Sequence, residues 1–242
     1  LFNGFENETL DSIPTCWTRV RTYNEPNAVV QVENFNVRTG SRSLYLYNWF
    51  NYTAADRLDA VLPRATDITS GDKRVRFWLR TSNLNAGLIV GTVVDNDPTS
   101  TVNVLQTVTP SATFTYEEFT VDITTANGYN GTDEHIVLGH NLGQTFTQLN
   151  VDDFHYEDIP TCVRPSSLIT SNFPSGDSTE INWTENNSAT EWEYRYGAPG
   201  FDLDTATSFI TTNKPDTLIG LSSATNYEWY VRSICTVGDT SF

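Results

Sequence analysis

The sequence predicts an all-β chain folded as two antiparallel sandwiches, and three observations carry that prediction. Helical periodicity is nearly absent, whereas short runs of β-branched and aromatic residues recur between clusters of Asn, Gly, Asp, Pro and Ser. Up to residue 159 the spacing of these runs suits an antiparallel sandwich of jelly-roll type. Ile159-Pro160-Thr161-Cys162 then breaks the pattern, and the remaining stretch has the length of a small seven-stranded sandwich. A chain of 242 residues can bury two such cores, and 38% hydrophobic and 12% aromatic content describe a folded protein, not a disordered one. We therefore expect modules over 1–159 and 160–242.

In the first module strands are expected near 28–37, 43–50, 57–62, 73–82, 87–95, 102–108, 115–123, 135–141 and 148–156. Asp95-Asn96-Asp97-Pro98 and Asn127-Gly128-Tyr129-Asn130-Gly131 read as turns, because Asn, Gly and Pro supply the required backbone angles. Two strands stand out. In Arg74-Val75-Arg76-Phe77-Trp78-Leu79-Arg80, alternation sends Val75, Phe77 and Leu79 to one face and Arg76, Trp78 and Arg80 to the other. In Leu44-Tyr45-Leu46-Tyr47-Asn48-Trp49, Leu44 and Leu46 point one way and Tyr45, Tyr47 and Trp49 the other. Outward strand positions usually hold small polar or charged residues, and here all six are Tyr, Trp or Arg. If the two strands are neighbours, their shared face is a continuous patch that needs a partner. The alternative is a face covered by a loop, the second module or the other sheet, with Trp78 part of the core.

The formal net charge of −16 argues against nucleic acid as a partner, since a phosphate backbone would be repelled by most of the surface. Cationic side chains gathered on the 74–80 strand are then a local feature suited to an anionic ligand. No apolar run approaches the roughly 20 residues that span a bilayer, so no membrane insertion is expected. No leader precedes Leu1, and the chain reads as a processed piece of a secreted, extracellular or cell-surface parent. Three cysteines allow one disulfide. Cys162 opens the second module and Cys235 closes one of its late strands, which favours that pair; Cys16 with Cys162 is the rival. Three widely spaced cysteines without neighbouring His give no zinc pattern.

Other candidates are weaker. His135 and His140 fall on opposite faces of one strand and, with His155, read as surface histidines. Glu117-Glu118 and Asp133-Glu134 resemble glycosidase carboxylate pairs only in composition, because adjacent strand residues diverge. No nucleophile elbow, phosphate-cradling loop or metalloprotease helix is present. Asn-x-Ser/Thr matches, such as Asn51-Tyr52-Thr53, arise readily in an Asn- and Thr-rich chain.

Strands of the second module are expected at 166–172, 178–184, 190–197, 206–212, 216–221 and 225–235. Trp183 within Ile181-Asn182-Trp183, then Tyr194 and Tyr196, Leu221 followed by Tyr227, and Val231 with Ile234 form an ordered set over 163–242. This set resembles a fibronectin type III domain. The resemblance implies a buried Trp183, a tyrosine corner at Tyr227, and Val231 and Ile234 continuing inward.

In the first module, Phe5-Glu6, Ile13-Pro14-Thr15-Cys16-Trp17, Gly40-Ser41-Arg42-Ser43-Leu44 and Val151-Asp152-Asp153-Phe154 recur in a definite order. Their order resembles that of jelly-roll modules related to MAM and carbohydrate-binding domains of secreted Bacteroidetes proteins, often joined to fibronectin type III domains. That resemblance implies a structural Ca²⁺ near the joined termini, an ion that takes six to eight oxygens. Glu6 and Asp152 are the side-chain candidates, with the Ser41 carbonyl and the Asn7 or Glu8 backbone completing the set and Asp153 an alternative ligand. It also implies a monomeric, non-catalytic module binding a polysaccharide, with an anionic, marine glycan among the candidates. Trp49 and Trp78 would be stacking platforms, Arg76 and Arg80 would hold anionic groups, and Tyr45 and Tyr47 would flank them. The module would tether a polysaccharide-degrading parent to its substrate. An adhesin or protein-interaction fragment is the alternative.

Overall fold

Inward-facing apolar residues at every second position build the first sandwich. A computed structural model describes residues 2–49, 52–53, 55–172 and 176–241. The expected strand end at Phe50 and Asn51 of the Asn51-Tyr52-Thr53 match lie outside the described residues. The chain divides into two units, Leu1–Ile159 and Pro160–Phe242.

The first unit contains β1 (Phe2–Asn3), β2 (Thr18–Arg21), β3 (Val29–Glu33), β4 (Ser43–Asn48), β5 (Leu58–Val61), β6 (Lys73–Thr81), β7 (Leu88–Val93), β8 (Asn103–Val108), β9 (Glu117–Ile123), β10 (His135–His140) and β11 (Thr147–Asp158). One antiparallel sheet runs β3-β4-β11-β6-β9, with β1 also paired to β11; the other runs β2-β5-β10-β7-β8. Successive strands from β4 to β7 and from β8 to β11 cross between the sheets, as a jelly roll requires. Val30, Leu44, Leu46, Val75, Phe77, Leu79, Leu149 and Val151 of the first sheet meet Leu58, Leu88, Val90, Ile136 and Leu138 of the second, all fully buried or nearly so. Phe77 stacks on both Phe119 and Phe154.

His140 departs from the surface reading, because it is buried at the end of β10. Its Nδ1 accepts the Leu142 N–H at 3.0 Å, so Nε2 carries the proton and donates to the Thr147 hydroxyl, also at 3.0 Å. Burial holds its pKa down at about 4. Between that value and 6.5 the unfolded chain binds a proton that the folded one refuses. The His140 contribution is therefore fully present above about pH 6.5 and is lost as the pH falls through about 4, at a cost of roughly 3 kcal/mol. Relative to wild type at each pH, His140→Gln should flatten the acid limb of the melting curve plotted against pH. Parallel acid limbs would refute this assignment.

The second unit pairs β12 (Ser166–Asn172), β13 (Ser178–Thr184) and β16 (Asp216–Ile219) in one sheet. The other sheet has the order β15-β14-β17-β18, formed by Phe209–Thr211, Glu191–Gly197, Glu228–Thr236 and Asp239–Thr240. Trp183 packs edge-on against Trp192, with Ile181, Tyr194 and Leu218 completing the buried centre. The Tyr227 hydroxyl accepts the Ser222 N–H at 3.0 Å, the backbone contact expected of a tyrosine corner. Ile234 corrects the sequence reading: Trp229 and Val231 pack on this core and Ser233 is fully buried, so Ile234 has the opposite parity. Cys162 and Cys235 are joined by a disulfide with Cα atoms 5.6 Å apart, and Cys16 is a free, exposed thiol.

Candidate functional site

Register decides what the outer face of the first sheet can do. The strands β4 and β6 are not neighbours, because β11 lies between them and pairs with both. Tyr45, Asn150 and Arg80 therefore share one row across the sheet, Tyr47 and Gln148 the next, and Asp152 is opposite Trp78. The aromatic residues of β4 and the arginines of β6 are separated by a polar strand.

One half of this face is closed. The connection between β3 and β4 folds over it, and the Arg38 guanidinium lies 3.7 Å from the Trp78 ring centroid. Arg38 is held by Asp153 at 2.5 Å, while the Tyr116 hydroxyl donates to Asn36 O. Arg76 is engaged by Glu118 at 3.0 Å and Glu157 at 3.2 Å, and the Glu157 hydrogen bond leads the causes that raise its pKa. Trp78 as a stacking platform and Arg76 as an anion holder are thus corrected: a cation covers the ring and two carboxylates occupy the guanidinium.

The other half carries a continuous series of rings. Phe35 meets Tyr45 edge-on at 5.0 Å, Tyr45 lies parallel to Tyr47 at 5.8 Å, Tyr47 meets Trp49 at 5.5 Å, and Trp49 meets Phe146 at 4.8 Å. Tyr45 is buried by these neighbours, and burial pushes its phenol pKa up, so it stays neutral. Phe146 donates its N–H to Trp49 O, which fixes the outermost pair through the backbone. Phe35, Phe114 and Phe146 are 40%, 62% and 54% exposed. Sequence reasoning missed all three: Phe114 and Phe146 stand in turns, where strand periodicity says nothing, and Phe35 falls inside the strand expected near 28–37, which ends at Glu33. A signal was present nonetheless: each is a lone Phe bracketed by matching polar residues, as Asn34-Phe35-Asn36, Thr113-Phe114-Thr115 and Thr145-Phe146-Thr147.

Of the expected calcium set Glu6, Asn7, Ser41 and Asp152, the two carboxylates face N–H donors in this arrangement. Glu6 accepts from Ser41 N and Oγ, both at 2.8 Å, and from Arg42 N. Asp152 accepts from the backbone N–H groups of Arg38, Thr39 and Asp153. Burial pushes the Asp152 pKa up to about 6 against those three donors. Glu6, Asn7 and Asp153 line one surface cavity, whereas Ser41 and Asp152 are not part of its wall. Among the described residues no three His, Cys, Asp or Glu side chains are grouped to hold a metal. These carboxylates instead stitch the 38–42 turn to the sheet. Gly40 suits this turn, because it takes φ +66° at low cost and a Cβ there would displace the Glu6 carboxylate.

No helix among the described residues is long and apolar enough to cross a membrane. No family model and no curated protein matches the chain. Among solved structures it is similar to the C-terminal family 22 carbohydrate binding module of Clostridium thermocellum Xyn10B (15% identity, TM-score 0.42, 67% of this chain and 96% of that one). It is also similar to a two-domain fibronectin type III segment of chicken tenascin (13% identity, TM-score 0.30, 77% and 87%). The K1 cleaved adhesin domain of Lys-gingipain from Porphyromonas gingivalis W83 matches at 18% identity and TM-score 0.50, over 65% of this chain and 97% of that one, and the likeness is one of fold.

Proposed function

We propose that the first unit is a non-catalytic module that binds an extended polysaccharide along β4. The observation that supports this reading is the ring series from Phe35 to Phe146, in which Phe35 of the β3–β4 connection caps the buried Tyr45 while Tyr47, Trp49 and Phe146 continue along the open side of β4. Pyranose rings have apolar C–H faces that stack on Trp, Tyr and Phe, while the Tyr47 hydroxyl and the Gln148 amide supply polar contacts beside them. Tyr47 and Trp49 alternate on this side, roughly 7 Å apart along the chain, and Phe146 extends the platform beyond Trp49, so the ligand runs with the strand. The carboxylates of this face are engaged in holding Arg38, Arg74 and Arg76 or backbone N–H groups, which suits binding and not acid–base chemistry. Attached to a secreted polysaccharide-degrading parent, such a module raises the effective concentration of substrate, with the second unit as spacer.

Affinity electrophoresis in gels containing a panel of plant, algal and bacterial polysaccharides tests this. Retardation on at least one gel is expected. Unchanged mobility on all of them would sink the reading and leave the ring series as a protein-contact surface.

A further inference from the structure

Among the described residues, Arg80 is the one guanidinium on this face that no carboxylate engages. Arg38, Arg74 and Arg76 each make an ion pair, in a chain of net charge −16. Arg80 has none among the described residues; its single side-chain hydrogen bond there runs from Nη1 to Asn150 Oδ1 at a long 3.4 Å. It is nevertheless held in place. Its guanidinium carbon lies 5.1 Å from the Phe114 ring centroid, and the Phe114 N–H donates to Thr81 O at 2.8 Å, which pins that ring beside the end of β6. Phe114 adopts φ +61° to do so, although 62% of it remains exposed. An oriented fork of N–H donors without an acceptor is suited to a carboxylate or sulfate group.

We infer that Arg80 is an anion subsite and that the ligand is an acidic glycan, with a uronate carboxylate or a sulfate ester directed from the β4 rings toward β6. This rests on the polysaccharide reading above. The row Tyr45–Asn150–Arg80 sets the geometry: Tyr45 and Asn150 are buried, and two strand spacings, about 10 Å, separate the backbones of β4 and β6. A sugar stacked on Tyr47 or Trp49 can place a substituent at that distance across Gln148. The contact with Phe114 restrains the guanidinium, so little side-chain freedom is lost on binding.

Matched gels test this: esterified pectin against polygalacturonate, and agarose against κ-carrageenan. Wild type should be retarded about tenfold more strongly by the charged member of one pair, and which pair responds separates carboxylate from sulfate. Arg80→Ala should bring the charged member down to the neutral one while leaving neutral binding unchanged. Arg80→Lys, which keeps charge without the fork, should recover only part of the preference. Equal retardation by both members of each pair, or a preference that survives Arg80→Ala in a variant of unchanged melting temperature, overturns the anion subsite and leaves polysaccharide binding standing. Absence of retardation on every gel overturns both.

Discussion

Trp49→Ala should lose most polysaccharide retardation, with an affinity loss of about 30-fold, equivalent to roughly 2 kcal/mol for a central aromatic anchor. Trp49 is the largest ring of the series and touches both Tyr47 and Phe146, so its removal breaks the exposed part of the platform and cuts Phe146 off from Tyr47. It also packs partly against the core, so its replacement lowers stability as well. Phe146→Ala separates the two effects: that ring is 54% exposed, and its loss should weaken retardation about fivefold with little change in melting temperature. Trp78→Ala should do the reverse, lowering the melting temperature through the loss of the Arg38 contact while leaving retardation intact. Retention of binding by both Trp49→Ala and Phe146→Ala would place the site elsewhere.

Replacing both Cys162 and Cys235 with alanine should destabilise the second unit by about 4 kcal/mol. The disulfide closes a loop with a sequence separation of 73, most of that unit, so its loss frees nearly the whole unfolded segment. A unit of this size has few other reserves: its fully packed centre is Ile181, Trp183, Trp192, Tyr194 and Leu218. Calorimetry of the intact chain should show one transition moving sharply down and the other staying fixed, since the first unit contains neither cysteine. Treatment of wild type with a reductant should give the same pattern. A shift of both transitions together, or of neither, would contradict it.

The sequence carried much of the fold because strand parity is a local property. Val75, Phe77 and Leu79 alternate with Arg76, Trp78 and Arg80 in β6 as their order requires, and the pattern survives folding since a one-residue slip would expose the whole apolar set. Short edges were less legible. In β1 and β18 there are two residues each, too few to show a period, and β2 is a four-residue strand between turns. The expected strand at 28–37 stops at Glu33, because the chain turns at Asn36 with φ +53°. For the site, parity identified which side chains face outward, but not which of them stay uncovered. That depends on pairing between distant segments: β11 inserting between β4 and β6, and Arg38 reaching Trp78 from a connection that sequence order places far away.

Phe114 and Phe146 have a consequence for anyone engineering this chain. Both hold a bulky side chain at positive φ, 61° and 56°, conformations that Gly or Asn adopts at lower cost. Each stores on the order of 1 kcal/mol of backbone strain. A library selected for heat resistance would therefore favour Gly or Asn at 114 and 146, whereas one selected on polysaccharide would keep Phe. The two selections diverge at the same pair of codons, so a thermostabilised version chosen without regard to ligand would drift toward a hardier protein with a bare sheet.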